Sequence, residues 1–434
     1  MEYGAKTHLR IRNHRWNNIY DLDAILWTMV GILINMPILQ INILGGFGLY
    51  NIVLIIILFK RIRKKSVRMN KAKTTLLLFF LCMFISLIVA SYTVPREWFL
   101  SSLRGTMKLA VLLMGLLIFL DDTYTLRYRS FFFNGVIVAA YVDFVWIVAQ
   151  SLLWNIARVS LNERIFGISM LVQNKGDLVL TGLSWERANA AILFSMAYVL
   201  CKKPIFRVMC VISVLMTSSR TGLLLLMIAF LSDFSGKLSK KKMQVILKRV
   251  IVVILLIALI LIIGRTARIG VVVKLFERLD YLITRIQYIY LKTNDWGANE
   301  LDFHIQYILW IPKALSSIPF LQTLFGCGTR ISGWVYTTVF GRFALGGPWN
   351  IECDLAAILF GNGIVGLLLY YLSLFKAIKL NKRNELHTIL YLFLIGGIVY
   401  VFYTSTLSLI VITLCLVRPK TEGMNIRRLQ KSEQ

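Results

Sequence analysis

Acidic residues are scarce in this chain: 21 Asp and Glu stand against 49 Lys and Arg over 434 residues, and charged residues of all kinds make up only 16%. A water-soluble domain carries about a quarter charged residues, so a soluble globular enzyme of this length is excluded. Proline is scarce too, at 7 residues, and leaves long apolar blocks uninterrupted. There are 6 Cys and 4 His with neither a CxxC nor an HExxH spacing, which removes a sequence-encoded metal site. The first apolar run follows a basic stretch and lacks a small-residue cleavage site, which argues against a removed signal peptide. A net charge of +28 could suggest nucleic acid. The Lys and Arg collect instead in short clusters between apolar runs, the pattern of cytoplasmic loops, so nucleic acid is not an expected partner.

What is there is hydrophobicity in blocks: 58% of residues are apolar and the mean hydropathy is +0.71. Runs near 20 apolar residues are the mark of membrane-spanning helices. The N-terminal cluster Lys6, Arg10, Arg12 and Arg15 places the start of the chain inside. Residues 22–39 and 43–60 read as a hairpin, residues 60–73 as a basic inner loop, and 75–92, 105–120 and 131–153 as successive crossings. Residues 154–187 form an outer loop and 188–200 a short return. The segment 204–234 is interrupted by Thr217-Ser218-Ser219-Arg220-Thr221. Reading it as two short helices keeps Lys237, Lys240, Lys241 and Lys242 inside, as the charge rule prefers. Residues 245–263 cross outward, 265–349 form a large extracytoplasmic loop, and 351–376 return. The run 386–417 is too long for one span and splits near Tyr403-Thr404-Ser405. The expectation is therefore an all-α polytopic membrane protein with about twelve transmembrane helices and both termini cytoplasmic. Within the large loop, Val272, Leu275, Phe276, Leu279, Leu282, Ile283, Ile286 and Ile289 recur at helical spacing. Such a helix would lie on the outer leaflet or over a cavity, its basic rim free to meet lipid head groups.

Ionisable residues at membrane depth are costly and are functional candidates by default. Arg220 lies at a helix break beside hydroxyls, where it would hold a phosphate oxygen or else anchor the turn to lipid. Asp143 falls mid-span and serves either chemistry or hydrogen bonding within the bundle. Glu352 and Asp354 stand at the outer mouth of a span. At i and i+2 they point to different helix faces, so one serves as a general base and the other as a structural partner, or both answer a helix N-terminal preference for acids. His304 is the sole outer histidine. Trp185, Trp296, Trp310, Trp334 and Trp349 suit either sugar stacking or the membrane interface. Cys327 and Cys353 are the outer cysteines, and an oxidising compartment would permit a disulfide between them.

Three pieces, in this order, resemble the O-antigen ligase and Wzy-type polymerase superfamily. The first is Gly182-Leu183-Ser184-Trp185-Glu186-Arg187-Ala188-Asn189-Ala190-Ala191, similar to the family's glycine and Asn-Ala segment before a helix. The second, Thr217-Ser218-Ser219-Arg220-Thr221-Gly222-Leu223, is close to its T-x-SR-x-G turn. The third follows the long outer loop: Phe325-Gly326-Cys327-Gly328, then Glu352-Cys353-Asp354, then Gly363-Ile364-Val365-Gly366. The resemblance covers roughly residues 180–375. It implies a GT-C-like fold and an inverting, metal-independent glycosyltransferase without a cofactor on the outer face of the bacterial cytoplasmic membrane. The donor would be a growing glycan on undecaprenyl pyrophosphate, and the acceptor one lipid-linked repeat unit of O-antigen or capsule. A flippase and a chain-length regulator are the partners such a reaction implies. Ligases of the superfamily typically have His-Asn where this chain has Glu352-Cys353, so the Glu-x-Asp form resembles the polymerases more. The expected site is Glu352 or Asp354 as base and Arg220 at the leaving pyrophosphate. Arg187, Asn189, Arg268, Arg278, Arg285, His304 and Arg330 would bind substrate, with membrane lipid around them. Rival readings are an O-antigen ligase and a lipid-linked oligosaccharide flippase; the sparse intramembrane charge and long outer loop speak against the flippase.

Overall fold

The computed structural model describes residues 21–39, 48–63, 69–167, 178–184, 186–237, 307–341, 347–382 and 384–417. Among these the chain is helical and contains no strand. Helices α1 (Leu22–Leu33) and α2 (Leu49–Ile62) are followed by α3 (Lys71–Thr93), α4 (Arg96–Phe119) and α5 (Asp122–Ala157). Next come the short α6 (Leu161–Phe166), α7 (Arg187–Leu200), α8 (Pro204–Thr217) and α9 (Arg220–Lys237). After the undescribed stretch follow α10 (Ile311–Ser317), α11 (Phe320–Phe325), α12 (Gly333–Phe340), α13 (Asp354–Leu380), α14 (Glu385–Gly396) and α15 (Thr406–Cys415). Four of these, α3, α4, α5 and α13, are long and apolar enough to cross a membrane.

The surface of α3 shows why such helices need an apolar surrounding. Leu76, Phe79, Phe80, Met83, Leu87 and Ala90 are buried against the bundle, yet Leu78, Leu81, Ile85 and Ile88, on the opposite stripe, are exposed and equally apolar. A helix that is hydrophobic all round belongs in a core or a membrane. Helices α1 and α5 cross at Gly31 and Gly135, where an added Cβ would stand 2.1 and 2.2 Å from the Phe132 and Thr28 carbonyl oxygens. Small residues at a crossing let two backbones touch, the usual packing device inside membranes.

Both divided segments divide in the structure. Residues 204–234 break at Ser218, whose φ of 51° is left-handed, giving α8 of 14 residues and α9 of 18. At 1.5 Å per residue these reach about 21 and 27 Å. The run 386–417 likewise separates into α14 and α15 around a turn at 397–405. Other bounds differ from expectation. Helix α4 starts at Arg96, nine residues before 105, because its first turns carry Arg96, Glu97 and Arg104 and give no hydropathy signal. Helix α5 has 36 residues, about 54 Å, well beyond a ~30 Å hydrocarbon core; it starts at the Asp121 cap and ends where Arg158 turns left-handed.

Ion pairs and side-chain bonds gather one set of helix ends. Asp23 pairs with Lys60, Asp121 with Arg61, Asp122 with Lys73 at 2.9 Å and Asp21 with Arg127 at 3.1 Å. Asp233 pairs with both Lys202 (3.1 Å) and Arg207 (2.7 Å). Ser232 bonds Thr388 at 2.8 Å, and the Asn381 amide donates to the Cys415 carbonyl at 2.7 Å. These contacts join the starts of α1, α3, α5, α8 and α14 to the ends of α2, α4, α7, α9, α13 and α15. The chain therefore alternates direction between a basic end and an opposite end.

Candidate functional site

The opposite end is organised by a break in α13. At Gly363 the backbone takes φ 70° and ψ −176°, and the helix resumes beyond it. The carbonyls released by the break are not left bare: the Cys327 amide donates to Phe360 O (2.8 Å) and the Gly328 amide to Gly361 O (2.9 Å). The Ser86 hydroxyl adds a 2.5 Å bond to Gly361 O, and Asn362 donates to Thr329 Oγ1 at 2.9 Å. Irregular backbone at membrane depth persists only where protein satisfies it in this way. The approach is so close that a Cβ on Gly326 would lie 2.3 Å from the Gly361 carbonyl, and one on Gly363 2.1 Å from Leu324 O. The Phe325-Gly326-Cys327-Gly328 and Gly363 pieces of the family-like pattern are thus two sides of one backbone junction.

The same junction explains the cysteines. Cys327 and Cys353 are free, buried thiols, contrary to the disulfide that an oxidising compartment would permit. Cys327 is bonded beside Phe360, seven residues along α13 from Cys353, or about 10 Å at the helical rise; a disulfide needs Cα atoms within about 7 Å.

Just before α13, Ser332 Oγ donates to Asn350 Oδ1 (2.5 Å) and accepts from the Ile351 amide (3.0 Å), which pins the segment that presents Glu352. The two expected carboxylates then part ways. Asp354 is 1% exposed. Its Oδ1 accepts from the backbone amides of Phe402 (2.8 Å) and Tyr403 (3.0 Å), and its own amide donates to Gly397 O at 2.8 Å. Asp354 therefore ties the α14–α15 turn to the head of α13. Glu352 is exposed, accepts no hydrogen bond from another described residue, and lies within electrostatic range of Tyr307 and Tyr400.

Tyr400, carried by that turn, reaches the third element. Its hydroxyl donates to Asn189 Oδ1 at 2.7 Å and also lies 3.3 Å from Glu186 Oε2, at the start of α7. Burial and the neighbouring Glu186 hold the Tyr400 phenol well above its usual range, so it stays protonated and keeps donating. Tyr400 is absent from the residues expected on sequence; its only sequence signal is the Gly396-Gly397 pair that interrupts an apolar run just before it.

Arg220 opens α9. Ser218 ends α8, the Ser219 hydroxyl accepts from the Gly222 amide (3.1 Å), and a Cβ on Gly222 would lie 2.3 Å from Ala191 Cβ on α7. This close contact brings exposed Arg220 to the same end of the bundle as exposed Arg187, the first residue of α7. Arg330 sits in a left-handed turn (φ 66°) of the loop between α11 and α12. Arg268, Arg278, Arg285, His304, Trp185, Trp296, the amphipathic helix and the 245–263 crossing lie outside the described residues.

Asp143 hydrogen-bonds within the bundle. Its Oδ1 accepts from the Leu183 amide at 2.6 Å, while Gln150 accepts from the Gly182 amide (3.0 Å) and Asn162 donates to Gly182 O (3.0 Å). Of the expected tryptophans, the three described ones are engaged in packing: Trp334 meets Trp98 at a centroid distance of 5.2 Å, Trp310 meets Phe340 at 4.5 Å, and Trp349 covers Gly333. Lys108 satisfies the criterion that singles out Asp143 and Arg220, a charge within an apolar span, and is also absent from the expected set. No protein-family model matches the chain, and no curated protein sequence does so either.

Proposed function

We propose that the chain is a glycosyltransferase that polymerises undecaprenyl-pyrophosphate-linked repeat units of O-antigen or capsular polysaccharide at the outer face of the bacterial cytoplasmic membrane. The observation that carries this reading is the division of labour between two carboxylates two residues apart. Asp354 is consumed by backbone amides, and Glu352 is left exposed and without a hydrogen bond among the described residues, at the end of the bundle where α7 and α9 present Arg187 and Arg220. An inverting transfer needs one group to take the acceptor hydroxyl proton as the bond to pyrophosphate breaks, and cations to stabilise the departing phosphate charge. Glu352 serves as that base. Arg220 serves the leaving group with its planar fork of donors. Tyr400, joined to Asn189, aligns the start of α7 with the turn that Asp354 holds. The twelve-span, GT-C-like arrangement with cytoplasmic termini is part of the same proposal and accommodates the alternation between the two ends.

The test is a deletion strain complemented with variants. Loss of a polymerase leaves single repeat units on the lipid carrier. Loss of a ligase leaves full-length polymer on the carrier, and loss of a flippase confines single units to the cytoplasmic leaflet. The expectation is outward-facing single units. Glu352→Gln should insert normally and polymerise about 10²–10⁴-fold more slowly in a purified assay. Near-normal turnover by Glu352→Gln would remove the base from this position.

A further inference from the structure

Gly182 and Leu183, which precede α7, are held by every polar group of their backbone. The Gly182 amide donates to Gln150 Oε1 at 3.0 Å, and the Gly182 carbonyl accepts from Asn162 Nδ2 at 3.0 Å. The Leu183 amide donates to Asp143 Oδ1 at 2.6 Å, and the Leu183 carbonyl accepts from the Ile38 amide at 3.2 Å. Asp143 and Gln150 stand two turns apart on one face of α5. Asn162 lies in α6, and Ile38 in the short turn Pro37–Leu39 after α1. Asn162 is itself aimed by the Trp146 indole, which donates to its Oδ1 at 2.7 Å. The fit leaves no room for a side chain on the clamped peptide. Gly182 has a φ of 64°, and an added Cβ would stand 2.1 Å from Asp143 Oδ1.

Cohesion between helices does not account for these groups. Helices α1 and α5 already meet backbone to backbone at Gly31 and Gly135. Asp143 Oδ2 and Gln150 Nε2 are buried without a hydrogen-bond partner among the described residues, and a half-satisfied buried network costs stability. What the four bonds achieve is to fix one peptide in space just ahead of α7. Arg187 follows Leu183 by four residues, a reach of about 14 Å at full extension. The head of α7 lacks a fix of its own, because Glu186 at its N-cap makes no side-chain capping bond. From the other side, the Tyr400 hydroxyl bonds Asn189 at 2.7 Å. The first turn of α7 is thus suspended between the clamp and the α14–α15 turn.

We infer that Asp143, Gln150 and Asn162 are positioning residues: by clamping Gly182 and Leu183 they set where α7 begins, and so where Arg187 and Asn189 stand relative to Tyr400 and Glu352. The clamp works through acceptor and donor atoms, not through charge. Asp143 supplies a short side chain ending in an acceptor oxygen, which asparagine also has. The inference rests on the polymerase reading only for what Arg187 and Asn189 bind; the placement of α7 is independent of it. In that reading the two residues bind substrate while Glu352 takes the proton. A displaced α7 therefore weakens binding and leaves the chemical step, raising KM with kcat held.

Two measurements on full-length protein in nanodiscs test this. The first places nitroxide labels at exposed Arg187→Cys and Ser317→Cys in a Cys201→Ser background, the remaining cysteines being buried. Double electron–electron resonance then reads the distance between them. Asp143→Ala and Asn162→Ala should at least double the width of the distance distribution, and Asp143→Asn should leave it unchanged. The second follows polymerisation, by label-free variants, of the lipid-linked repeat unit extracted from the deletion strain. There both alanine variants should raise KM at least fivefold with kcat within twofold, and Asp143→Asn should keep both constants. Melting curves identify folded preparations, and Asn162→Ala, outside the apolar span, carries the test if Asp143→Ala does not fold. Asn381→Ala removes a buried amide from the basic end; it is the control for lost stability and should alter neither reading. Unchanged distributions in the folded alanine variants, equal broadening in Asn381→Ala, or an Asp143→Asn protein that behaves as Asp143→Ala does would each overturn the inference. Broadening with KM within twofold of the unaltered protein would overturn it too. Broadening restored by asparagine, in a protein that makes no polymer, keeps the clamp and removes the polymerase. Unchanged distances and kinetics in a protein that does make polymer remove the clamp and keep the polymerase.

Discussion

At the residue scale, two acids that look equivalent in the sequence predict opposite phenotypes. The Asp354 carboxylate receives two backbone amides in a buried position, so what it supplies is an acceptor oxygen of the right length. Asparagine retains that oxygen and alanine does not. Asp354→Asn should therefore accumulate and melt close to the unaltered protein and keep most of its activity. Asp354→Ala leaves two buried amides unpaired, at roughly 1–3 kcal/mol each, and should show a lower melting temperature in detergent and poor yield. Glu352→Gln should show the reverse pattern, normal melting with lost turnover. A loss of activity in Asp354→Asn as deep as in Glu352→Gln, at unchanged melting temperature, would make Asp354 part of the chemistry. The sequence alone shows the pair, and its i, i+2 spacing already says that the two face different ways. It cannot show which one meets Phe402 and Tyr403, because those residues come 48 and 49 positions later in the chain.

At the element scale, what could be read in advance was whatever length and charge control. The charge rule favours dividing residues 204–234 and length favours dividing 386–417, and both do divide. The break in α13 was hidden, since Gly361-Asn362-Gly363-Ile364-Val365-Gly366 lies within an apolar run and its cause, the loop Gly326–Gly328, sits more than thirty residues earlier. Gly363 (φ 70°, ψ −176°) and Gly326 (φ 81°, ψ −179°) occupy a region of backbone space open essentially to glycine. Added methyl groups there would also meet backbone atoms closer than 2.5 Å. Gly363→Ala and Gly326→Ala should each cost at least the ~1–3 kcal/mol typical of a strained residue, seen as a lower melting temperature by size-exclusion fluorescence. Gly115→Ala, whose methyl would meet only the flexible Leu58 side chain at 3.1 Å, should melt near the unaltered protein. Equal melting of all three would mean that the junction does not hold the two halves of α13 in place.

Across the whole molecule, the distribution of acids completes an argument that the count of basic residues began. Few in number, the carboxylates Asp21, Asp23, Asp121, Asp122 and Asp233 all pair with Lys or Arg at one end of the bundle. Glu186, Glu352 and Asp354 belong to the other end, with Arg187 and Arg220. On the proposed topology, in which clusters of Lys and Arg in short loops stay cytoplasmic, the basic end would turn inward and Glu352 outward, where a lipid-linked glycan would be found. Cysteine labelling can test this. The native cysteines are buried apart from half-buried Cys201, so a Cys201→Ser background is quiet. Exposed reporters are available on both ends: Ser317 at the close of α10, Lys203 before α8 and Lys382 after α13. A membrane-impermeant maleimide added to intact spheroplasts should label Ser317→Cys, and should label Lys203→Cys and Lys382→Cys only after permeabilisation. Labelling of Lys203→Cys from outside would invert the α8–α9 hairpin and put Arg220 on the cytoplasmic side, away from any substrate at the outer face. Labelling at both Lys203→Cys and Lys382→Cys would reverse the whole bundle, and the proposed chemistry at Glu352 would then face the cytoplasm and fail.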